Sequence, residues 1–175
     1  MLRQWTEDDF LPFAEMCSDK GVMEFFPKPQ AQKESYEMAK KIQSLIKDRG
    51  WGFWAVEIPN QHKFIGFVGL HTPKDSMPFS PCVEIGWRLS NQHWCKGYAT
   101  EAAKAALEYA FNKLNLNEVV SFTTLANARS MAVMQKIGMN NSGQNFMHPD
   151  IEASHSQCEH VLYKINRSEW QQNAL

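Results

Sequence analysis

Several groups of residues have types and spacings suited to chemistry. The segment His93-Trp94-Cys95-Lys96-Gly97-Tyr98-Ala99-Thr100-Glu101-Ala102 passes through a glycine into a long helical pattern. The first N–H groups of a helix have no internal partner, and the helix dipole favours negative charge there, so such a turn can hold an anion. Gly97 lets the backbone approach a phosphate, Ala99 is too small to block it, and Lys96 adds a cation. By itself a glycine before a helix is more often an ordinary turn. Glu84 and Arg88 share one face if their apolar run is a strand. Glu84 then reads equally as a proton acceptor and as half of a structural ion pair with Arg88. His71 titrates in the right range for a base, but its simpler reading is a strand-end surface residue. Asn127 and Ser130 open a short helical pattern, where an Asn is a natural N-cap and a Ser hydroxyl bonds the preceding turn. His148, Asp150, Glu152, His155, Cys158 and His160 collect metal-ligating types, yet their spacing fits neither a zinc finger nor His-Glu-x-x-His. No metal is expected there, and a solvated loop is one reading.

The elements that must position these residues follow from apolar periodicity. A capping pattern at Thr6 and Asp9 starts a helix over residues 7–18, with Phe10, Phe13, Ala14 and Cys17 on one face and Pro12 disturbing its first half. A second helix over 32–49 carries Tyr36, Ala39, Ile42, Leu45 and Ile46 and stops at Gly50. Strands are expected over 51–58 and 64–70, joined by the turn at 59–62, and over 83–89. A long helix over 98–114 has an alanine-rich side, formed by Ala99, Ala102, Ala103, Ala106 and Ala110, that can approach a sheet closely. A strand over 118–125, a helix over 128–137 ended by Gly138, and weaker strands over 139–146 and 158–165 complete the order. Leu2–Trp5 looks like the tail of a short or clipped first strand. The sum is a mixed α/β (α+β) domain, its sheet mainly antiparallel and flanked by helices.

Composition narrows the class. The chain has 175 residues, 18 Lys plus Arg against 19 Asp plus Glu, and a net charge of −1. That length suits a single domain spanning 1–175, large enough to bury a core without staples. Near-neutral charge argues against a nucleic-acid partner. Four scattered cysteines make no disulfide framework, the N-terminus lacks the apolar stretch of a signal peptide, and no run of about 18 apolar residues suggests a membrane span. A cytoplasmic location is expected, and a homodimer stays open.

The string from Trp94 to Ala102 resembles the acetyl-CoA pyrophosphate loop of the GNAT superfamily of N-acetyltransferases, Gln/Arg-x-x-Gly-x-Gly/Ala. Gly97 and Ala99 match its two small positions. Trp94 stands for Gln/Arg, a replacement common in the branch that acetylates ribosomal-protein N-termini, and Cys95 stands where that branch usually has glycine. Glu84-Ile85-Gly86-Trp87-Arg88-Leu89 looks like the family's central strand. Asn127-Ala128-Arg129-Ser130 with Lys136-Ile137-Gly138-Met139 resembles its second CoA motif.

The resemblance implies the GNAT fold and direct acetyl transfer from acetyl-CoA to a primary amine, either a protein N-terminus or a small molecule. It implies CoA contacts from Trp87, Arg88 and Leu89 (backbone to the pantetheine arm), from Cys95, Lys96, Gly97, Tyr98, Ala99 and Thr100 (pyrophosphate), and from Asn127. It implies an oxyanion donor at a backbone N–H near Trp87 or Arg88, and Glu84 as base, with His71 the other candidate. The family's frequent tyrosine acid is replaced by Met134. Ser130 is then the candidate proton donor, and a thiol's pKa near 8.5 makes thiolate a tolerable leaving group. For the histidine-rich segment the resemblance implies a second reading, the substrate-facing hairpin beside the acetyl group, whose acids would attract a cationic amine and whose protonated histidines would blunt that pull. A non-catalytic acyl-CoA sensor on the same fold is the alternative. No Gly-x-Ser-x-Gly or Gly-x-Gly-x-x-Gly is present to suggest a hydrolase or a dinucleotide enzyme.

Overall fold

A computed structural model describes residues 1–173. The chain forms two compact units, the first from Met1–Leu70 with Gly86–Ala103, the second from His71–Ile85 and from Lys104 onward.

In the first unit, β1 (Leu2–Arg3) is a two-residue strand, as short as its sequence suggested. The expected 7–18 helix divides into a 3-10 turn at Glu7–Asp9 and α1 (Phe10–Ser18). Pro12 is therefore in the first turn of α1, where its missing N–H would have had no helical partner, so the helix survives it. α2 (Gln32–Arg49) has the expected bounds, and the N–H of Gly50 closes it on the Ile46 carbonyl at 2.8 Å. β2 (Phe53–Ile58) and β3 (His62–His71) form the expected antiparallel hairpin, with Phe53 opposite Gly69 and Ile58 opposite His62. Trp5, Phe13, Phe53, Phe64 and Phe67 build an aromatic core under the two helices. The Trp5 indole meets Phe13 edge-on with ring centres 5.1 Å apart and donates Nε1–H to the Phe53 carbonyl at 2.7 Å.

Charge fixes the entry into α1. Arg3 makes a fork onto Asp9, Nη1 to Oδ2 at 2.7 Å and Nη2 to Oδ1 at 2.8 Å, while its Nε reaches Glu57 at 2.6 Å. Asp9 is 1% exposed and its carboxylate also accepts the Thr6 N–H at 2.8 Å, so Asp does serve as the far member of the cap. The Asp9 and Glu57 carboxylates hold the Arg3 guanidinium above its ordinary pKa.

β4 (Glu84–Leu89) belongs to both units, and α3 (Tyr98–Asn112) starts in the first and ends in the second. The first unit has the strand order β1-β2-β3-β4. Gly66 of β3 sits at φ +135°, and a β-carbon there would lie 2.7 Å from the Leu89 Cα and closer still to the Arg88 carbonyl. Only glycine permits that approach. The Ser90 N–H closes the same corner on the Ile65 carbonyl at 2.9 Å.

In the second unit the order is β4-β5-β7-β6, giving seven strands in all. β5 (Glu118–Thr124) runs parallel to β4 at Glu84↔Val120 and antiparallel to β7 (Glu159–Asn166) from Glu118↔Asn166 to Thr124↔His160. β6 (Asn140–Met147) pairs with β7, with an irregularity between Asn141 and Asn145. α4 (Ala128–Lys136) follows β5. The arrangement is the mixed, mainly antiparallel α/β sheet expected. An additional helix, α5 (Arg167–Asn173), was not read from the sequence. Its start is a reciprocal cap, with Glu169 N–H donating to Asn166 Oδ1 at 2.9 Å and Asn166 N–H to Glu169 Oε2 at 2.8 Å. The Asn-x-x-Glu spacing was the available signal.

Gly66→Ala is expected to be among the most destabilising single-methyl additions in this chain, costing about 3 kcal/mol or more, because backbone rather than a movable side chain fills the space. Urea unfolding of the variant beside Gly52→Ala, whose new methyl would meet only the Ile46 side chain, checks this; an equal loss in both would contradict it.

Candidate active site

The first unit supplies a turn whose backbone could cradle an anion. After a 3-10 turn at Asn91–His93, Trp94 folds back and its Nε1–H donates to the Leu89 carbonyl at 2.8 Å, tying the turn to the end of β4. This answers why Trp stands at 94, since its indole also packs against the first unit's core. Cys95 takes a left-handed backbone, φ 58°, and Gly97 follows at φ 87°. The Gly97 carbonyl accepts the Glu101 N–H at 3.0 Å, which makes Gly97 the cap of α3. The N–H groups of Tyr98, Ala99 and Thr100 are thus the helix's first donors, without helical acceptors behind them. Cys95, Lys96 and Gly97 are exposed, and nothing lies within 4 Å of where a β-carbon on Gly97 would be. That open cradle with donors along one rim fits a phosphate or pyrophosphate. Beneath it His93 is buried, its ring 4.8 Å from His62 and nearly perpendicular to it. Burial, helped by His62 and Lys96, lowers the His93 pKa.

On β4, Trp87 is half-buried, while Arg88 and Leu89 are buried. Arg88 does not make the structural pair with Glu84 considered from strand parity. Its Nη1 donates to the Cys17 sulfur at 3.1 Å and to Gln30 Oε1 at 3.4 Å. Parity gives the face a side chain leaves from; it does not give the neighbours that α1 and its following loop bring to it.

In the second unit, Glu84 is half-buried by surface area but densely packed about its carboxyl, and that burial raises its pKa to about 7. Desolvation is the whole of the cause, so no opposite charge restores its ionised form. Nearby Cys82 is pushed up to about 11 by burial and by Glu84 and Glu118. Asn127 caps α4: its Oδ1 accepts the Ser130 N–H at 3.1 Å and its Nδ2 donates to Thr123 Oγ1 at 2.9 Å. One lone pair and one N–H of that amide stay available. The Ser130 hydroxyl makes no hydrogen bond among the described residues, so it does not bond the preceding turn. Thr124 Oγ1 is also buried without a partner among the described residues, a polar atom beside Asn127 that sequence reading passed over. Met134 is fully buried, so the position of the family's tyrosine acid is a core position here. His71 is half-buried at the end of β3.

The histidine-rich segment is part aromatic cluster and part loop. His148 and His160 meet at a 45° tilt with ring centres 5.0 Å apart, against Phe122 and Phe146, and burial lowers both pKa values. Asp150 instead pairs with Lys74 at 2.9 Å. Among the described residues no three His, Cys, Asp or Glu side chains gather as a metal-binding group.

Residues 1–140 match the family model described as "Acetyltransferase (GNAT) domain". This chain belongs to the GNAT acetyltransferase family and is an acetyl-CoA-dependent acyltransferase. Among its relatives, the "Uncharacterized N-acetyltransferase YnaD" of Bacillus subtilis (strain 168) is 28% identical over 179 residues, covering 97% of this chain and 95% of that protein. Two solved structures share the fold. Ribosomal-protein-S5-alanine acetyltransferase from Vibrio fischeri superposes with a TM-score of 0.75 at 18% identity, over 97% of this chain and 93% of that one. Spermidine N-acetyltransferase from Vibrio cholerae, in complex with CoA and spermine, has a TM-score of 0.75 at 19% identity, over 98% and 97%.

Two outcomes follow from this geometry. Cys95→Gly removes the left-handed strain of a side-chain-bearing residue and should leave the melting temperature equal or higher, whereas β-branched Cys95→Val should lower it by a few degrees. Because the folded pKa of Glu84 lies above its unfolded value, its carboxyl favours folding below about pH 4.5, and that contribution is lost as pH rises through about 7. Glu84→Gln should therefore stabilise the protein relative to wild type at pH 8 and lose that advantage at pH 4, read by thermal melts at both values.

Proposed function

We propose that this chain is an N-acetyltransferase that moves the acetyl group of acetyl-CoA directly to a primary amine of a small molecule or a protein N-terminus. The observation that carries this reading is the cradle at Cys95–Thr100, with its two positive-φ residues and its three first-turn donors. In it the backbone N–H groups of Tyr98, Ala99 and Thr100 bind the pyrophosphate, and Lys96 offsets its charge. The backbone of Trp87, Arg88 and Leu89 holds the pantetheine arm. The spare lone pair and N–H of Asn127 take part in the same task.

In the transfer the amine nitrogen attacks the thioester carbonyl carbon. The C–N bond forms, the C–S bond breaks, and CoA leaves with the sulfur's electron pair. Glu84 takes the proton the amine must lose. A carboxylate whose pKa is about 7 is ionised often enough near neutrality and is basic enough to do so, directly or through a water. His71 is the second candidate for that role. A backbone N–H near Trp87 or Arg88 supports the oxyanion, an interaction typically worth about 3–4 kcal/mol. The thiolate is a tolerable leaving group at a thiol pKa near 8.5 and takes its proton from water, while Ser130, with its hydroxyl unengaged, donates a hydrogen bond to the departing sulfur. A Cys82 thiol held near 11 stays protonated, which supports direct transfer over an acyl-cysteine.

All four cysteines are free thiols, which supports a reducing compartment and hence the cytoplasm. No helix among the described residues is long and apolar enough to cross a membrane.

The test is thermal stability with acetyl-CoA, CoA or no ligand. A ligand at about 100 times its Kd adds about 2.7 kcal/mol, an upward shift of several degrees. Wild type should show it and a folded Gly97→Trp variant should not; no shift in wild type would remove the acetyl-CoA assignment. In an amine screen, kcat/KM should rise with pH through about 7 as Glu84 ionises. Glu84→Gln should lose about 10²-fold or more in rate along with that rise. A rise that persists in Glu84→Gln would move the base to His71.

A further inference from the structure

Arg88 is a buried cation whose side chain has no part in the transfer itself. It is 8% exposed, and all its side-chain neighbours are in the first unit. Nη1 donates to the Cys17 sulfur at 3.1 Å and to Gln30 Oε1 at 3.4 Å. The guanidinium faces the ring of Phe26 at 4.3 Å and that of Phe67 at 5.6 Å. Its Nε–H is buried with no acceptor among the described residues. No Asp or Glu among the described residues forms an ion pair with it.

A guanidinium so placed is costly unless something balances it, because buried charges are ordinarily paired. Its neighbours are the Cys17 sulfur, an amide and two rings, and no carboxylate is among them. The unused Nε edge is the one that, with Nη2, presents two parallel N–H bonds to a carboxylate. Above it lies the stretch between α1 and α2, where Phe26, Pro27, Lys28 and Pro29 are all exposed. Phe26, 38% exposed, lies against the face of the guanidinium and leaves the Nε edge to other atoms. One guanidinium in apolar surroundings balances one negative charge, which favours a carboxylate over a dianionic phosphate.

We infer that Arg88 receives a carboxylate of the acceptor, so that the amine acetylated belongs to an amino carboxylate. This rests on the N-acetyltransferase reading above and narrows it to a substrate class. Arg88 is then a specificity-determining residue that binds the acceptor away from the reacting nitrogen.

The test pairs each of the protein amino acids with its own carboxamide, using the full chain. Turnover with acetyl-CoA and equilibrium binding by calorimetry are measured separately. The carboxamides hold a larger fraction of free amine near neutral pH, so any bias works against the inference. For at least one pair, wild type should favour the acid by about tenfold or more in kcat/KM, and by a similar factor in Kd. In Arg88→Met that ratio should fall to about one, and in Arg88→Lys, which keeps the charge and loses the fork, to an intermediate value. Arg88→Met should also melt no lower than wild type without ligand, because it removes an unpaired buried charge; a purely structural arginine would lower the melting point instead. Wild type that treats every acid and amide alike overturns the inference without needing a folded variant, as does a preference that survives in Arg88→Met. Arg88-dependent carboxylate binding with no turnover on any amine would keep the carboxylate site and overturn the transferase reading. Turnover without acid preference would do the reverse.

Discussion

The approach of β3 to β4 at Gly66 is the constraint on which the first unit's chemistry depends. With no side chain at 66, the Arg88 carbonyl and Leu89 Cα come against the β3 backbone. That fixes where β4 ends and which way Arg88 leaves it. The Leu89 carbonyl is then positioned to accept the Trp94 indole, and the indole sets where the turn at Cys95–Gly97 begins. A methyl group at one glycine would therefore be felt at the turn Cys95–Gly97, which Gly66 reaches only through β4 and Trp94. Small residues matter here as hinges of geometry more than as permissive turns.

β4 also shows one physical cause acting in opposite directions. Desolvation raises the pKa of Glu84 and lowers that of Arg88, because in each case it disfavours the charged form. Each unit keeps its own ionisable group of this strand short of a counter-charge, which costs stability in both. Such costs are ordinary at sites that must meet a proton or a charged ligand, and they are rare in a core that only has to pack.

Where residues interact with near neighbours in the chain, the sequence was legible. The stripe from Tyr36 to Ile46 and the stop at Gly50 define α2 because helix periodicity and capping are local. The pair Gly97 and Ala99 marks the cradle for the same reason. The division of the 7–18 segment was not legible, because it depends on Asp9 turning to a fork on Arg3, and Arg3 is held in turn by Glu57, some fifty residues away. Nor was the fate of Arg88, whose partners come from α1 and the loop after it. Strand alternation gives the face Arg88 leaves from but not what covers it, and Arg88 and Leu89 are both buried, as happens when a strand end is covered on its two sides. The last helix was legible in principle, since Asn166 and Glu169 carry its cap in the right spacing.

The first unit is discontinuous in sequence: it closes only when residues 86–103 return to Met1–Leu70. During synthesis, a chain extended to Leu70 already has Trp5, Phe13, Phe64 and Phe67 for its core but not the strand that pairs with β3. Until β4 arrives, β3 is an open edge of ten residues, six of them destined for burial, with the flat notch at Gly66 in its middle. Edges of that kind invite pairing with the wrong chain. The close fit that later seats the cradle is thus also the surface a ribosome-bound intermediate has to keep from its neighbours.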